Sequence, residues 1–322
     1  MSSLKPLSIA VVMDPLDRVN IDKDTTFVLM LEAQSRGHEV LYTRAEEMYL
    51  KGGRVWTRLW PIRVERAEVF HRFGPAKEMQ LDALDAVLMR KDPPYTMDYL
   101  HAAHLLSLVR GAFVMNSGHG LREANEKLFA LRFPEITPPS LVARSPRRIL
   151  EFLDELGGEG IVKPLDGCGG LGVFHLRRND TNLMSLLESS TGEGTRHVLV
   201  QRYLPEVRQG DKRIIVLDGE PIGATLRVPR AGEARANIHV GGECVKAEIT
   251  ARDRTICDVL RPALREHGLW LVGLDVIGGW LTEVNVTSPT GIQEIDRLDG
   301  VSLEAQVIDF VERRAREHAR SA

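Results

Sequence analysis

Cysteine is scarce in this chain. The 322 residues include three, Cys168, Cys244 and Cys257, an odd number with no CxxC spacing. That argues against a disulfide framework and against a structural zinc site. Long apolar runs are missing too. No stretch approaches the roughly 20 residues of a membrane-spanning helix, and residues 1–6 lack the basic-then-apolar layout of a secretory leader. A reducing cytoplasm is the simplest compartment, and no membrane partner is expected. Nor does charge of one sign dominate: 42 Lys and Arg against 45 Asp and Glu leave a net charge of −3. Such a balance offers no bulk attraction to nucleic acid, so any anion site has to be a local cluster of Arg and Lys. Internal repeats and low-complexity tracts are absent as well. What is there suits ordinary folding, with 43% hydrophobic and 27% charged residues. The length fits two or three sub-domains around one cleft.

Residues 7–13 (LSIAVVM) are a continuous apolar run ending at Asp14-Pro15, read as a buried strand and a loop. Residues 25–36 read as a helix, with Asp24 as N-cap and Gly37 just past its end. Further strands are expected at 39–43, at 85–89 running into Arg90-Lys91-Asp92-Pro93-Pro94, and at 112–116. Strands alternating with helices argue for a parallel α/β sheet over about the first 120 residues. After Leu121 the texture changes. A helix near 122–131 is followed by Pro-rich 136–140 and by strands at 160–163, 172–176 and 197–203. Asp218-Gly219 and Gly278-Gly279 each sit between two apolar runs and mark hairpins. A helix over 303–316 closes the chain, so the second region is α+β.

Three constellations carry chemistry. Lys163 leaves a strand and enters a loop containing Gly167, Gly169, Gly170 and Gly172. Glycines let backbone N–H groups close on phosphate oxygens, and the Lys adds a point charge; no GK[ST] follows, so this is not a Walker loop. A flexible hairpin is the plain alternative. Second, Asp275, Glu283 and Asn285 lie on the arms of one hairpin. A three-residue loop over 278–280 puts the two acids opposite each other; a two-residue loop puts them on opposite faces. Facing acids need a cation between them, and hard oxygens beside phosphates suit Mg²⁺. Two solvated edge acids are the alternative. Third, Asp211, Arg213, Arg227, Arg230, Arg235 and Asn237 cluster around a small, polar, glycine-bearing segment over 228–242. It reads either as a lid whose arginines fork carboxylates or as a solvated basic loop.

Weaker signals remain. Asn125-Glu126-Lys127 is expected on a helix, where an exposed Lys is usually just solvated. Gln201-Arg202-Tyr203-Leu204-Pro205 ends a strand and could meet a purine edge. Thr287-Ser288-Pro289-Thr290-Gly291 is a turn or a substrate-contacting loop. His101, His104, His119 and His239 show no metal-ligand spacing.

In this order the pieces resemble the ATP-grasp superfamily and, within it, the bacterial glutathione synthetase family. The matching segments are MDPLDRVNIDKDT, LEAQSRGHE, VLMRKDPPY, NEKLF, VKPLDGCGGLGVF, VQRYLPE, GDKRIIVLDGEP, LVGLD and LTEVNVTSPTGIQEI. The resemblance implies an ATP-grasp fold: an N-terminal parallel α/β substrate domain over 1–122, then an ATP-grasp domain over 123–318. The latter divides into a central lid sub-domain near 130–200 and a C-terminal α+β sub-domain near 201–318. It implies ATP-driven joining of γ-glutamylcysteine to glycine through an acyl phosphate, and, by analogy, a homo-oligomer.

Residue roles follow from the same resemblance. Lys127 and Lys163 would hold ATP phosphates, with Gly167, Gly169 and Gly170 covering them. Gln201, Tyr203 and Leu204 would line the adenine site, and Asp211 could meet the ribose. Asp275, Glu283 and Asn285 would bind Mg²⁺ or Mn²⁺. Arg213, Arg227, Arg235 and Asn237, with Lys163, would carry the catalysis, and Gly242, Ser288 and Thr290 would join Arg213 and Arg227 at the substrate. Ala236 stands where members often carry Gly, Cys168 is an unusual filler of the glycine loop, and Arg230 adds a charge. A RimK-type ligase for another acid and amine, or a non-catalytic ATP-binding module, would share the scaffold. Asp14 to Asp24 and Arg90 to Pro94 favour the first family over the RimK type. Retention of Arg213 and of both hairpin acids speaks against the module.

Overall fold

The computed structural model describes residues 5–167, 169–229 and 243–321. The first eight strands are β1 (Ser8–Val12), β2 (Glu39–Thr43), β3 (Tyr49–Lys51), β4 (Arg54–Val64), β5 (His71–Phe73), β6 (Lys77–Gln80), β7 (Ala86–Met89) and β8 (Phe113–Met115). They form one sheet in the order β3-β4-β2-β1-β7-β8, with β5 and β6 also pairing with β4. β2, β1, β7 and β8 run parallel, and the nearly unbroken apolar character of β1 and β7 reflects burial on both faces. The helix α1 (Thr25–Ser35) starts where the Asp24 carboxylate accepts the Phe27 N–H at 2.6 Å. It ends ahead of Gly37, whose φ of +82° only glycine adopts without strain. The chain travels outward from β1 to β2 and then back across to β7. The C-terminal ends of β1 and β7 therefore flank the crevice where such sheets take ligands.

The antiparallel extension through β4 was not expected, although buried Val55, Thr57 and Leu59 alternate along it. The helix expected near 122–131 also differs. α2 (Met97–Leu106) is followed by a short α3 (Gly118–Glu123), and residues 124–129 are not α-helical. The Asn125 side chain is the reason: its Oδ1 accepts the N–H groups of Lys127 and Leu128 at 3.1 and 3.0 Å. Those bonds compete with the helical ladder.

A second sheet holds β9 (Ser140–Ala143), β10 (Glu159–Pro164), β11 (Phe174–Arg177) and β12 (Val198–Arg202), ordered β11-β10-β12-β9 and antiparallel throughout. α4 (Pro146–Glu155) and α5 (Leu183–Thr191) cover one face. Ile149, Leu153, Val162, Leu176 and Leu187 form a core that takes no residue from the other two sheets.

The third sheet holds β13 (Asp211–Leu217), β14 (Glu220–Val228), β15 (Glu243–Lys246), β16 (Leu271–Ile277) and β17 (Trp280–Asn285), ordered β15-β14-β13-β16-β17. The expected Asp218-Gly219 turn has φ of 52° and 79°, the primed geometry that matches strand twist. Ile214, Val216 and Leu274 pack with Ile256 and Leu260 of α6 (Ala251–Glu266). That core also contains Val12 and Val87 of the first sheet, so first and third sheets are fused. Asn116 locks the joint: Nδ2 donates to the Leu271 and Val286 carbonyls, both at 2.8 Å, and Oδ1 accepts the Leu271 N–H at 2.9 Å.

α7 (Ile292–Asp299) and α8 (Leu303–Ser321) close the fold. No helix among the described residues is long and apolar enough to cross a membrane. Burial, together with a hydrogen bond shared with Glu304, raises the pKa of Asp296 on α7 to about 7. The folded state thus holds a proton that the unfolded chain releases near the ordinary carboxyl value. Stability is fully present below that value and is lost as pH rises towards 7. Asp296→Asn mimics the protonated acid. Its melting temperature is expected to fall less between pH 5 and 8 than that of the parent, the remaining slope coming from Asp211. Parallel profiles for the two proteins would show that the shared proton is not there.

Candidate functional site

The acidic hairpin closes differently from expectation. Ile277 pairs with Trp280, so the loop is the two residues Gly278 and Gly279, with φ of 56° and 78°. On loop length alone the acids would then face opposite ways. They do not: β17 carries one extra residue, the register shifts between Asp275 and Val276, and Asp275 lies directly opposite Glu283. The bulge at Thr282 restores the facing arrangement, and the Thr282 hydroxyl ties it down by donating to the Asp275 carbonyl at 3.1 Å.

Register then gathers the charges on one face. Arg213 pairs with Asp275, and Asp275 with Glu283, in one row; Asp211 pairs with Arg227, and Gly273 with Asn285, in the rows on either side. Arg213 forks Asp275, with Nε to Oδ1 at 2.6 Å and Nη2 to Oδ2 at 3.0 Å. Arg227 Nη2 reaches Asp275 Oδ1 at 3.0 Å and also contacts Asp211 Oδ2. Gly273 makes the room, since a Cβ there would come within 3.1 Å of the Arg213 side chain and of Pro289. Burial opposes ionisation of Asp275, but Arg213 and Arg227 outweigh it and hold its pKa below the usual carboxylate range. Asp211 moves the other way. Burial raises its pKa to about 7, because it must share Arg227 with Asp275. Arg227 Nε and Asp211 Oδ1 are sealed from water and have no partner among the described residues. Such orphans suggest groups that a ligand completes.

Opposite this face stands the second sheet. Lys163, at the end of β10, lines the cleft between the two. Burial pulls its pKa down, with Glu283 opposing and Lys127 reinforcing the shift. No hydrogen bond joins it to a described residue. Lys127 is 4% exposed. Its ammonium donates to the Gly167 carbonyl at 2.6 Å and lies 3.5 Å from Glu283 Oε1. It thereby links the glycine loop to the acidic hairpin. Gly167 is required where it stands, because a Cβ would meet Pro164 at 2.5 Å. Gly169 and Gly170 have φ of 66° and 76°.

The cleft opens between the second and third sheets. Apolar Ile161, Leu204, Val207 and Ile277 line it together with Gln201 and Tyr203. Asp211 also lines the cleft, though its carboxylate faces Arg227. Thr290 lies beside the arginines, its carbonyl 3.3 Å from Arg213 Nη1, and Ser288 is buried in the same loop. Arg230, Arg235, Ala236, Asn237, His239, Gly242 and Cys168 lie outside the described residues.

Two participants escaped the sequence reading. Glu126 Oε1 accepts the N–H groups of Val286 and Thr287 at 3.1 and 3.2 Å and the Thr287 hydroxyl at 2.9 Å. It fixes the strand end that presents Asn285. With Asn125 donating to the Leu165 carbonyl at 3.1 Å, three consecutive side chains tie the glycine loop to the end of β17, which a regular helix could not do. The second is His175, stacked on Tyr203 with ring centroids 4.1 Å apart. It continues the cross-strand row Ser140–Gln201–Ile161–His175. Alternation along β10 would have pointed to that row once the partners were known.

The chain is similar to known proteins over nearly its whole length. Residues 7–122 match the family model for the N-terminal domain of prokaryotic glutathione synthetase, and residues 126–300 the model for its ATP-grasp domain. The chain is 43% identical over 319 residues to a glutathione synthetase of Synechocystis, covering 95% of this chain and 99% of that one. It is 45% identical over 313 residues to that of Gloeobacter violaceus, covering 95% and 96%. Against that of Brucella melitensis it is 44% identical over 310 residues, covering 96% and 99%. Among solved structures, D-cycloserine synthetase DcsG superposes with a TM-score of 0.67 at 16% identity, covering 95% and 100% of the two chains. An ATP-grasp RimK domain protein from Sphaerobacter thermophilus gives 0.60 at 18% identity, covering 94% and 99%. At such identities these two speak for the fold alone.

Proposed function

We propose how the site works in a chain that belongs to the prokaryotic glutathione synthetase family, an ATP-dependent ligase that joins γ-glutamylcysteine to glycine and yields glutathione, ADP and phosphate. One observation carries the assignment of parts. A single sheet face holds Arg227, Asp211, Arg213, Asp275, Glu283 and Asn285, and it confronts Lys127 and Lys163 across one cleft.

The base lies against Gln201, Tyr203 and Leu204, and the phosphates run towards Lys127, Lys163 and the glycine loop. The cysteinyl carboxylate, an anion, must approach the γ-phosphate, another anion, so neutralising charge is the chief task. Lys163 has no bonded partner to give up and is available for the γ-phosphate. A carboxylate oxygen bonds to phosphorus while the bond to the β-phosphate oxygen breaks and ADP leaves. The amine of glycine then attacks the acyl carbon, and phosphate departs from the tetrahedral adduct. Arg213 and Arg227 stand where negative charge collects in both steps.

The donor set fits Mg²⁺. Glu283 and the Asn285 Oδ1 accept no hydrogen bond from a described residue, leaving hard oxygens uncommitted, while Asp275 is already engaged by two guanidinium groups. No group of three or more His, Cys, Asp or Glu side chains gathers among the described residues. Glu283 and Asn285, with Asp275 behind them, would hold an ion that keeps its other positions for phosphate and water. Bound there, Mg²⁺ supplies charge neutralisation on the phosphates. The domain division at residues 122 and 123, homo-oligomeric assembly and a cytoplasmic setting belong to the same proposal.

Mixing the protein with Mg·ATP, γ-glutamylcysteine and glycine should release ADP and form glutathione in equal amounts. Turnover restricted to another acid and amine would shift the reading to a RimK-type ligase. ATP binding without ADP release under every pairing would leave a non-catalytic module.

A further inference from the structure

Arg90, Lys127, Arg213 and Arg227 are buried cationic side chains. Lys127 has Glu283, Arg213 has Asp275, and Arg227 has Asp211 and Asp275. Arg90 is 3% exposed and forms no ion pair with a described carboxylate. Its Nε donates to Thr26 Oγ1 and its Nη2 to the Pro289 carbonyl, both at 3.0 Å. Nη1 has no acceptor among the described residues. Asp24 and Asp92 act on it only from a distance, and Asp24 is already occupied as the cap of α1. A buried guanidinium without a counter-ion is costly, and burial pulls its pKa below the usual arginine value.

The position of this residue is equally specific. Arg90 directly follows β7, and its N–H donates to the Val12 carbonyl at the end of β1 at 2.8 Å. It stands at the switch point of the parallel sheet, where the fold's crevice lies. Beside it, Asp14 bridges the same strand ends through Lys91 at 2.6 Å and the Asp92 N–H at 2.8 Å. Arg90 holds the carbonyl of Pro289, and Arg213 faces that of the next residue, Thr290, at 3.3 Å. Consecutive Cα atoms lie about 3.8 Å apart, and each hydrogen bond adds about 3 Å. The two guanidinium groups are thus within about 10 Å of each other. An extended γ-glutamyl dipeptide separates its two carboxylates by about 9 Å, counted from standard bond lengths.

We propose that Arg90 binds the distal α-carboxylate of the acid substrate while Arg213 attends the reacting one. The switch-point crevice is then the site that selects acids bearing a second carboxylate on a long spacer. This rests on the ligase reading above.

The test compares γ-glutamylcysteine with 4-aminobutyrylcysteine, the same dipeptide without its α-carboxylate, in the wild type, Arg90→Gln and Arg90→Lys. Charged hydrogen bonds of this kind make the wild type prefer γ-glutamylcysteine by about 10²-fold in kcat/KM. Arg90→Gln should accept both dipeptides within about threefold of each other, with KM for ATP unchanged. A wild type indifferent to the carboxylate, or an Arg90→Gln variant that discriminates as strongly as the wild type, overturns the inference alone. No turnover of γ-glutamylcysteine by the wild type overturns the ligase reading, and the inference with it. Should Arg90→Gln fail to fold, Arg90→Lys decides: a point charge without the fork should raise KM for γ-glutamylcysteine about tenfold, and an unchanged KM refutes the assignment.

Discussion

Replacing Arg213 with alanine should lower kcat roughly 10²- to 10³-fold, the usual effect of deleting one donor aimed at developing charge, while KM for ATP moves by less than about threefold. The asymmetry follows from location. Arg213 does not line the cleft; it lies two residues along β13 from the lining Asp211, forking Asp275 and facing the Thr290 carbonyl. The same change strands a buried carboxylate. Asp275 would keep only Arg227 at 3.0 Å and the Asn285 amide at 3.2 Å. Breaking such a pair typically costs about 3–5 kcal/mol, so the melting temperature falls too. Adding Asp275→Asn removes the stranded charge, and stability should largely return; turnover is read on Arg213→Ala alone, because Asp275 also stands behind the proposed ion. A single variant that retains wild-type kcat would remove Arg213 from the chemistry altogether.

The second large effect is expected at Glu283. It is partly exposed, and its ion contact among the described residues is buried Lys127 at 3.5 Å. Glu283→Gln keeps the shape and removes one unit of charge, leaving Lys127 its hydrogen bond to the Gly167 carbonyl; some stability is lost with the pairing, so the metal titration is read on folded protein. The concentration of Mg²⁺ needed for half-maximal ADP release should rise by about tenfold or more, equivalent to about 1.4 kcal/mol or more. Mn²⁺ binding in the presence of ADP, followed by electron paramagnetic resonance, should weaken in parallel and does not depend on turnover. A superimposable metal titration would take Glu283 out of the ligand set.

Much of this architecture is legible in the residues because the signals are local. The run LSIAVVM, the Asp24 cap with Gly37 beyond it and the Asp218-Gly219 turn each act over a few positions, and each produces the element it implies. The site is legible only in part, since its decisive contacts are distant in sequence. The acids are expected to face each other across a three-residue loop; the loop has two residues, and only the bulge at Thr282 restores the facing arrangement. Glu126 owes its role to backbone groups 160 residues away, and Asn125 abandons helix for a loop it cannot foresee. The row ending in His175 exists only once three strands are aligned.

Separate packing of the middle sheet has a mechanical outcome. Among the described residues its apolar interior shares nothing with the fused body formed by the other two, so little oil-like adhesion holds the two bodies in one orientation. A nucleotide seated between them, as proposed above, would touch both and act as a strut as well as a fuel. With ADP gone, the jaws would be free to part and the finished tripeptide to leave.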